Sequence, residues 1–178
     1  MKKESIALIG FMATGKTSVG EELAEKLGEG YQFIETDQMI IEDAGKSIPE
    51  IFEEDGEIRF RELEIQVCKK ASQLPNAVIS CGGGVVLNKI NIDYLKRNCH
   101  IVLLKASAEE IYKRAMKDGK EKRPVIDKKD PKAEIEQVLS FRKPFYEAAA
   151  EYTINTEGKE IETIAKQIIK ETKIQKER

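Results

Sequence analysis

Apolar residues fall along this chain in two rhythms. Short, largely unbroken apolar runs at Ser5–Ile9, 31–35, Ala77–Ser80, 101–104 and 152–154 predict strands. Between them apolar residues recur at helical spacing. Val19, Leu23, Ala24 and Leu27 do so over Lys16–Leu27, with Gly28 as a stop. Phe60, Leu63, Val67 and Ala71 mark one face of a longer helix that ends near Leu74, before the turn Pro75-Asn76. A short helix is expected near 90–97. Another begins at Asp130-Pro131 and carries Ile135, Val138 and Leu139, with Pro144 expected to disturb it. Ile161, Ile164, Ala165, Ile168 and Ile169 mark a final amphipathic helix. Ser47-Ile48-Pro49-Glu50 and Ser107-Ala108-Glu109-Glu110 read as capping boxes, and Gly56 interrupts the helix that the first one opens. Continuous strands alternating with helices predict an α/β fold: a five-stranded parallel sheet with helices on both faces. No repeat or low-complexity linker divides the chain, so a single domain over 1–178 is expected.

Composition narrows the functional classes. A net charge of −2 lacks the basic footprint of a nucleic-acid binder. No apolar run approaches the about 18 residues of a membrane span. Three cysteines, Cys68, Cys81 and Cys99, have no metal-type spacing and are odd in number, which suits a reducing cytoplasm. Only seven of the 30 basic residues are arginine, Arg59, Arg61, Arg97, Arg114, Arg123, Arg142 and Arg178, so these are the better candidates where a planar two-pronged donor is needed.

The chemistry begins after the first strand. Gly10-Phe11-Met12-Ala13-Thr14-Gly15-Lys16-Thr17, followed by Ser18, fits the phosphate-loop pattern G-x-x-x-x-G-K-[ST] in full. Glycines let the backbone curl so that successive N–H groups face phosphate oxygens, at the positive end of a helix. Lys16 can reach the β- and γ-phosphates, and the Thr17 hydroxyl can ligate Mg²⁺. ATP with Mg²⁺ is the expected ligand. The guanine-reading N-K-x-D segment is missing, because Asn88-Lys89-Ile90-Asn91 lacks the Asp. The strand Ala77–Ser80 runs into Cys81-Gly82 and not into the acid of a motor ATPase. The acids Glu35 and Asp37 instead follow the second strand, where an open parallel sheet places ligands.

These motifs continue along nearly the whole chain. Residues 10–20 read GFMATGKTSVG, 33–37 FIETD, 47–52 SIPEIF and 56–62 GEIRFRE. Gly82-Gly83-Gly84, Arg123-Pro124 and, at 142–146, RKPFY follow in order. In this order and spacing the chain resembles the shikimate kinase family. The resemblance implies a P-loop kinase core with a helical substrate-binding insert at about 37–61 and a lid at about 114–129. It implies transfer of the γ-phosphate of ATP to the 3-hydroxyl of shikimate, in aromatic amino-acid biosynthesis, by a cytoplasmic monomer. By the same resemblance Asp37 holds the acceptor hydroxyl and takes its proton. Arg61 and Arg142 grip the substrate carboxylate, and Gly82, Gly83 and Gly84 pass close to the ring. Arg123 stabilises the transferring phosphoryl group, Arg114 stacks on adenine, and Asn155 and Thr156 lie on the adenine loop. Glu35 stands where the family has Asp, a position that helps hold Mg²⁺. The alternatives are a related kinase acting on another hydroxy acid and a nucleotide-binding module without turnover.

Overall fold

The computed structural model describes residues 3–117 and 130–174. Five strands pair in parallel in the order β2-β3-β1-β4-β5, with β1 at Ser5–Ile9, β2 at Gln32–Glu35, β3 at Ala77–Ser80, β4 at Cys99–Lys105 and β5 at Tyr152–Asn155. The unbroken apolar runs are explained by two-sided burial. Ile6 and Leu8 of β1 enter one core while Ala7 and Ile9 enter the other. In β4, Val102 and Leu104 join the first pair, Ile101 and Leu103 the second. The central strands β1, β3 and β4 therefore sit between two apolar layers, while the edge strands β2 and β5 are partly exposed.

Helix α1 (Lys16–Leu27) covers one layer together with α8 (Ile161–Thr172). The other layer lies under α4 (Gly56–Ala71), α5 (Lys89–Leu95), α6 (Ala108–Lys117) and α7 (Pro131–Ala149). A smaller cluster of Ile40, Ile51, Phe60, Leu63 and Val67 packs α2 (Thr36–Ala44) against α4. Between those two, the Ser47 capping box forms in full and opens the three-residue α3 (Ile48–Glu50), which runs on as a π-turn over Ile51–Asp55. Gly56, at φ 83°, breaks the run before α4.

Three local expectations change. Pro144 lies inside α7 without ending it. The box at Ser107 is half formed. Its hydroxyl accepts the Glu110 N–H at 3.3 Å, but the Ser107 N–H goes to the Glu157 carboxylate, and Glu110 turns to Arg114. Arg114 and Lys117, placed in the lid by the resemblance, belong to the last turn of α6. His100 sits at the amino-terminal end of β4, against Glu151, far along the sheet from the phosphate loop.

This strand order positions the site. The segments after β2, β3 and β1 leave neighbouring strands at the same carboxyl edge, so the acids, the glycines and the phosphate loop meet there.

Candidate active site

The phosphate loop is wound by left-handed residues. Ala13 has φ 57° and Gly15 φ 93°, and the alternation turns the backbone N–H groups toward one concavity. A non-glycine residue held this way costs about 1 kcal/mol or more, a strain typical of binding loops. Gly10 is required by proximity, because a β-carbon there would lie 2.3 Å from the Leu104 carbonyl oxygen. Thr14 braces the loop through its hydroxyl, which donates to the Phe11 carbonyl at 2.8 Å. The Lys16 ammonium folds back and donates to the Gly10 and Phe11 carbonyls, each at 2.8 Å.

A cavity of about 650 Å³ opens over this loop. Met12, Ala13, Thr14, Gly15, Lys16, Thr17 and Ser18 form its floor. Glu35, Asp37, Gly82 and Gly83 form one end, and Arg114 and Thr156 the other. Thr17 donates to Glu35 Oε1 at 2.6 Å, so the two expected metal-binding oxygens already touch. Arg114 ties the loop to the β5–α8 connection, donating to the Ala13 carbonyl at 3.4 Å, the Thr156 hydroxyl at 3.0 Å and the Thr156 carbonyl at 3.1 Å. Asn155 is not on this wall. It lines a separate cavity of about 360 Å³ with Phe11, Leu139 and Tyr146, and its side-chain oxygen accepts the Glu157 N–H. Thr156 and Lys159 of that connection line the phosphate-loop cavity. Arg123 lies outside the described residues.

The other expected side chains converge on the three glycines. A β-carbon on Gly82 would lie 2.5 Å from Asp37 Oδ1, and one on Gly84 would lie 2.8 Å from Arg61 Nη1. A β-carbon on Gly83 would lie 3.5 Å from Arg142 Nη1. Gly82 and Gly84 thus each make room for one charged group, while at Gly83 the nearest charged group stands at ordinary contact distance. Arg61 and Arg142 do not line the cavity itself. They stand at the glycine turn that closes its end, Arg142 with its guanidinium 5.7 Å from the Phe11 ring centre.

Burial and neighbouring charge shape the acids. Burial raises the Asp37 carboxyl above the ordinary range, opposed by Lys16 and assisted by Glu35. Asp37 is in the first turn of α2. Glu64, 2% exposed, receives Arg61 Nη1 on both oxygens at 3.2 Å and Asn91 Nδ2 at 3.1 Å. Burial raises its pKa too, against the pull of Arg61. Arg61 also meets Glu57 at 3.2 Å, and its guanidinium lies 5.2 Å from the Phe60 ring centre. Glu64 has a sequence signal that went unread: it is a charge on the apolar stripe of Phe60, Leu63 and Val67, where only a paired charge is stable. Thr36 and Tyr146 also approach the turn. Thr36 stood in the sequence only as the spacer between two acids. Cys81 is buried, and burial pushes its thiol far up, so it is no nucleophile at neutral pH.

With this geometry in hand, comparison with known proteins is specific. A family model described as shikimate kinase matches residues 12–173. A shikimate kinase from Caldanaerobacter subterraneus subsp. tengcongensis is 45% identical over 167 residues, covering 94% of this chain and 95% of the relative. A solved shikimate kinase from Acinetobacter baumannii, in complex with shikimate, superposes with a TM-score of 0.86 at 33% identity, over 94% of this chain and 92% of the other. One from Bacteroides thetaiotaomicron gives 0.85 at 31%, over 95% and 98%. The chain belongs to the shikimate kinase family.

Proposed function

We propose that this protein transfers the γ-phosphate of ATP to the 3-hydroxyl of shikimate. The observation that carries the reading is the glycine turn, which brings one carboxylate and two guanidinium groups to the end of a phosphate-loop cavity. A hydroxy acid needs both an oxygen to receive the hydroxyl proton and cations to hold its carboxylate.

The roles follow from position. The phosphate loop binds the triphosphate through its inward N–H groups, and Lys16 exchanges two loop carbonyls for phosphate oxygens. Arg61 and Arg142 hold the acceptor carboxylate, and Glu64 keeps Arg61 aimed when Glu57 is displaced. Asp37 receives the hydroxyl proton as that oxygen bonds to the γ-phosphorus and the bridging bond to the β-phosphate breaks. Its raised pKa brings its basicity closer to working pH. Arg114 flanks the base at the far end of the cavity, and Arg123 is assigned to charge stabilisation from the family pattern alone. Thr17 and Glu35 present two hard oxygen donors side by side and would hold Mg²⁺, which would supply neutralisation of phosphate charge.

Glu35 already reaches Thr17. Glu35→Asp shortens the side chain by one methylene, which a bridging water can span. Turnover with shikimate is expected to stay near normal in that variant. A loss beyond a hundredfold would mean that the longer side chain defines a distinct metal geometry.

The activity itself is tested by coupled ADP release with a panel of acceptors: shikimate, gluconate, glycerate and a nucleoside monophosphate. Release that depends on shikimate alone is expected. Equal or faster release with another acceptor, or ATP binding without release under any of them, would overturn the reading.

A further inference from the structure

We infer that two buried hydroxyls, those of Thr36 and Tyr146, are positioning groups that set the glycine turn in register with the proton acceptor and with the carboxylate grip. The inference rests on the functional reading above. It concerns two residues to which that reading gives no role.

The turn at Gly82, Gly83 and Gly84 has no side chains with which to anchor itself. Its backbone closes locally, with Val85 N–H donating to the Gly82 carbonyl at 3.1 Å and Leu87 N–H to the Gly84 carbonyl at 3.0 Å. Those bonds shape the turn but do not fix its distance from neighbouring elements. Thr36 and Tyr146 do that from two directions. Thr36 Oγ1 accepts the Gly82 N–H at 2.9 Å, and Tyr146 Oη donates to the Gly83 carbonyl at 2.5 Å. Both residues are nearly sealed from solvent, at 1% and 3% exposure, so water does not replace either bond.

Each hydroxyl is wired to a functional group as well as to the turn. Thr36 directly precedes Asp37 in the first turn of α2, and Gly82, the glycine it holds, is the one that makes room for Asp37 Oδ1. Tyr146 lies one helical turn beyond Arg142 on α7, the Arg142 guanidinium stands at the same glycine, Gly83, and its charge acts on the phenol. Burial pushes that phenol up to about 12, so it stays protonated and keeps donating to Gly83 across the working pH range. One hydroxyl thus sets the spacing of turn and carboxylate, the other the spacing of turn and guanidinium. Three flexible glycines become a fixed platform at little cost in side-chain volume near the ligand.

The two bonds should separate kinetically. Tyr146→Phe keeps the ring in its core and removes the hydroxyl. It is expected to raise KM for shikimate about 10–100-fold, the loss of a buried hydrogen bond to the glycine beside which Arg142 stands, with KM for ATP within about twofold of wild type. Thr36→Val is nearly isosteric and strands the Gly82 N–H. It is expected to lower kcat about tenfold or more, with a smaller effect on KM for shikimate, and Thr36→Ser is expected to restore it. Melting temperatures are recorded alongside. If Tyr146→Phe does not fold, the Val and Ser pair at position 36 decides. Wild-type kinetics in either variant, or kcat and both KM values degrading together with no rescue by Ser, would overturn the inference while leaving the wild-type activity in place. If the wild-type protein itself releases no ADP with shikimate, the functional reading falls, and the inference with it.

Discussion

Asp37→Asn is expected to lower kcat for shikimate phosphorylation by about 10²–10⁴-fold, the usual contribution of a positioned proton acceptor. ATP affinity should change little, because the amide still fits beside Gly82 and the phosphate loop is untouched. The same substitution should leave the melting temperature equal or higher at neutral pH. The sign follows from burial. The Asp37 carboxyl is raised in the folded protein, so between its unfolded and folded pKa values the folded state binds more protons. Stability therefore falls as pH rises through that window, and above it the buried charge is carried at a constant cost. Asparagine removes the charge and with it the cost. A variant that is slower yet no less stable, measured by ADP release and thermal melting on one preparation, is the expected pattern. A drop in melting temperature that matches the drop in rate would make Asp37 a structural residue.

Arg142→Ala is expected to raise KM for shikimate at least about a hundredfold, as expected when charge-assisted hydrogen bonds to a carboxylate are lost. KM for ATP should move by a few-fold at most. Arg142 stands at Gly83 and over the Phe11 ring, and does not line the cavity floor made by the phosphate loop. Arg142→Lys should rescue only part of the loss, because an ammonium cannot match both oxygens of a carboxylate. Equal effects on the two substrates would remove Arg142 from the acceptor site.

Much of this was legible before any coordinates. The central strands β1, β3 and β4 were legible because burial on both faces leaves no polar alternation to obscure them, and the partly exposed edge strands β2 and β5 by their short apolar runs. The phosphate loop was legible because its chemistry demands fixed residue types at fixed spacing. Less legible were features settled only by packing. Pro144 stays inside α7 despite its missing N–H, since the local pattern does not show how firmly the helix is held against the sheet. The Ser107 N–H goes to Glu157, which is distant in sequence, while Glu110 turns to Arg114. Asn155 and Thr156 are neighbours, yet the alternation of a strand end sends them to different cavities. Thr36 and Glu64 went unread because each acts on a group brought close by the fold.

The central claim is that one turn of three glycines gathers Asp37, Arg61 and Arg142 around a single hydroxy acid. A crystal structure with shikimate and ADP bound tests it most directly. The account predicts the shikimate carboxylate within hydrogen-bond distance of both guanidinium groups, one ring hydroxyl against Asp37, and the ring passing over residues 82–84. Shikimate seated elsewhere, with Arg61 still paired to Glu57 and Arg142 out of reach, would contradict it.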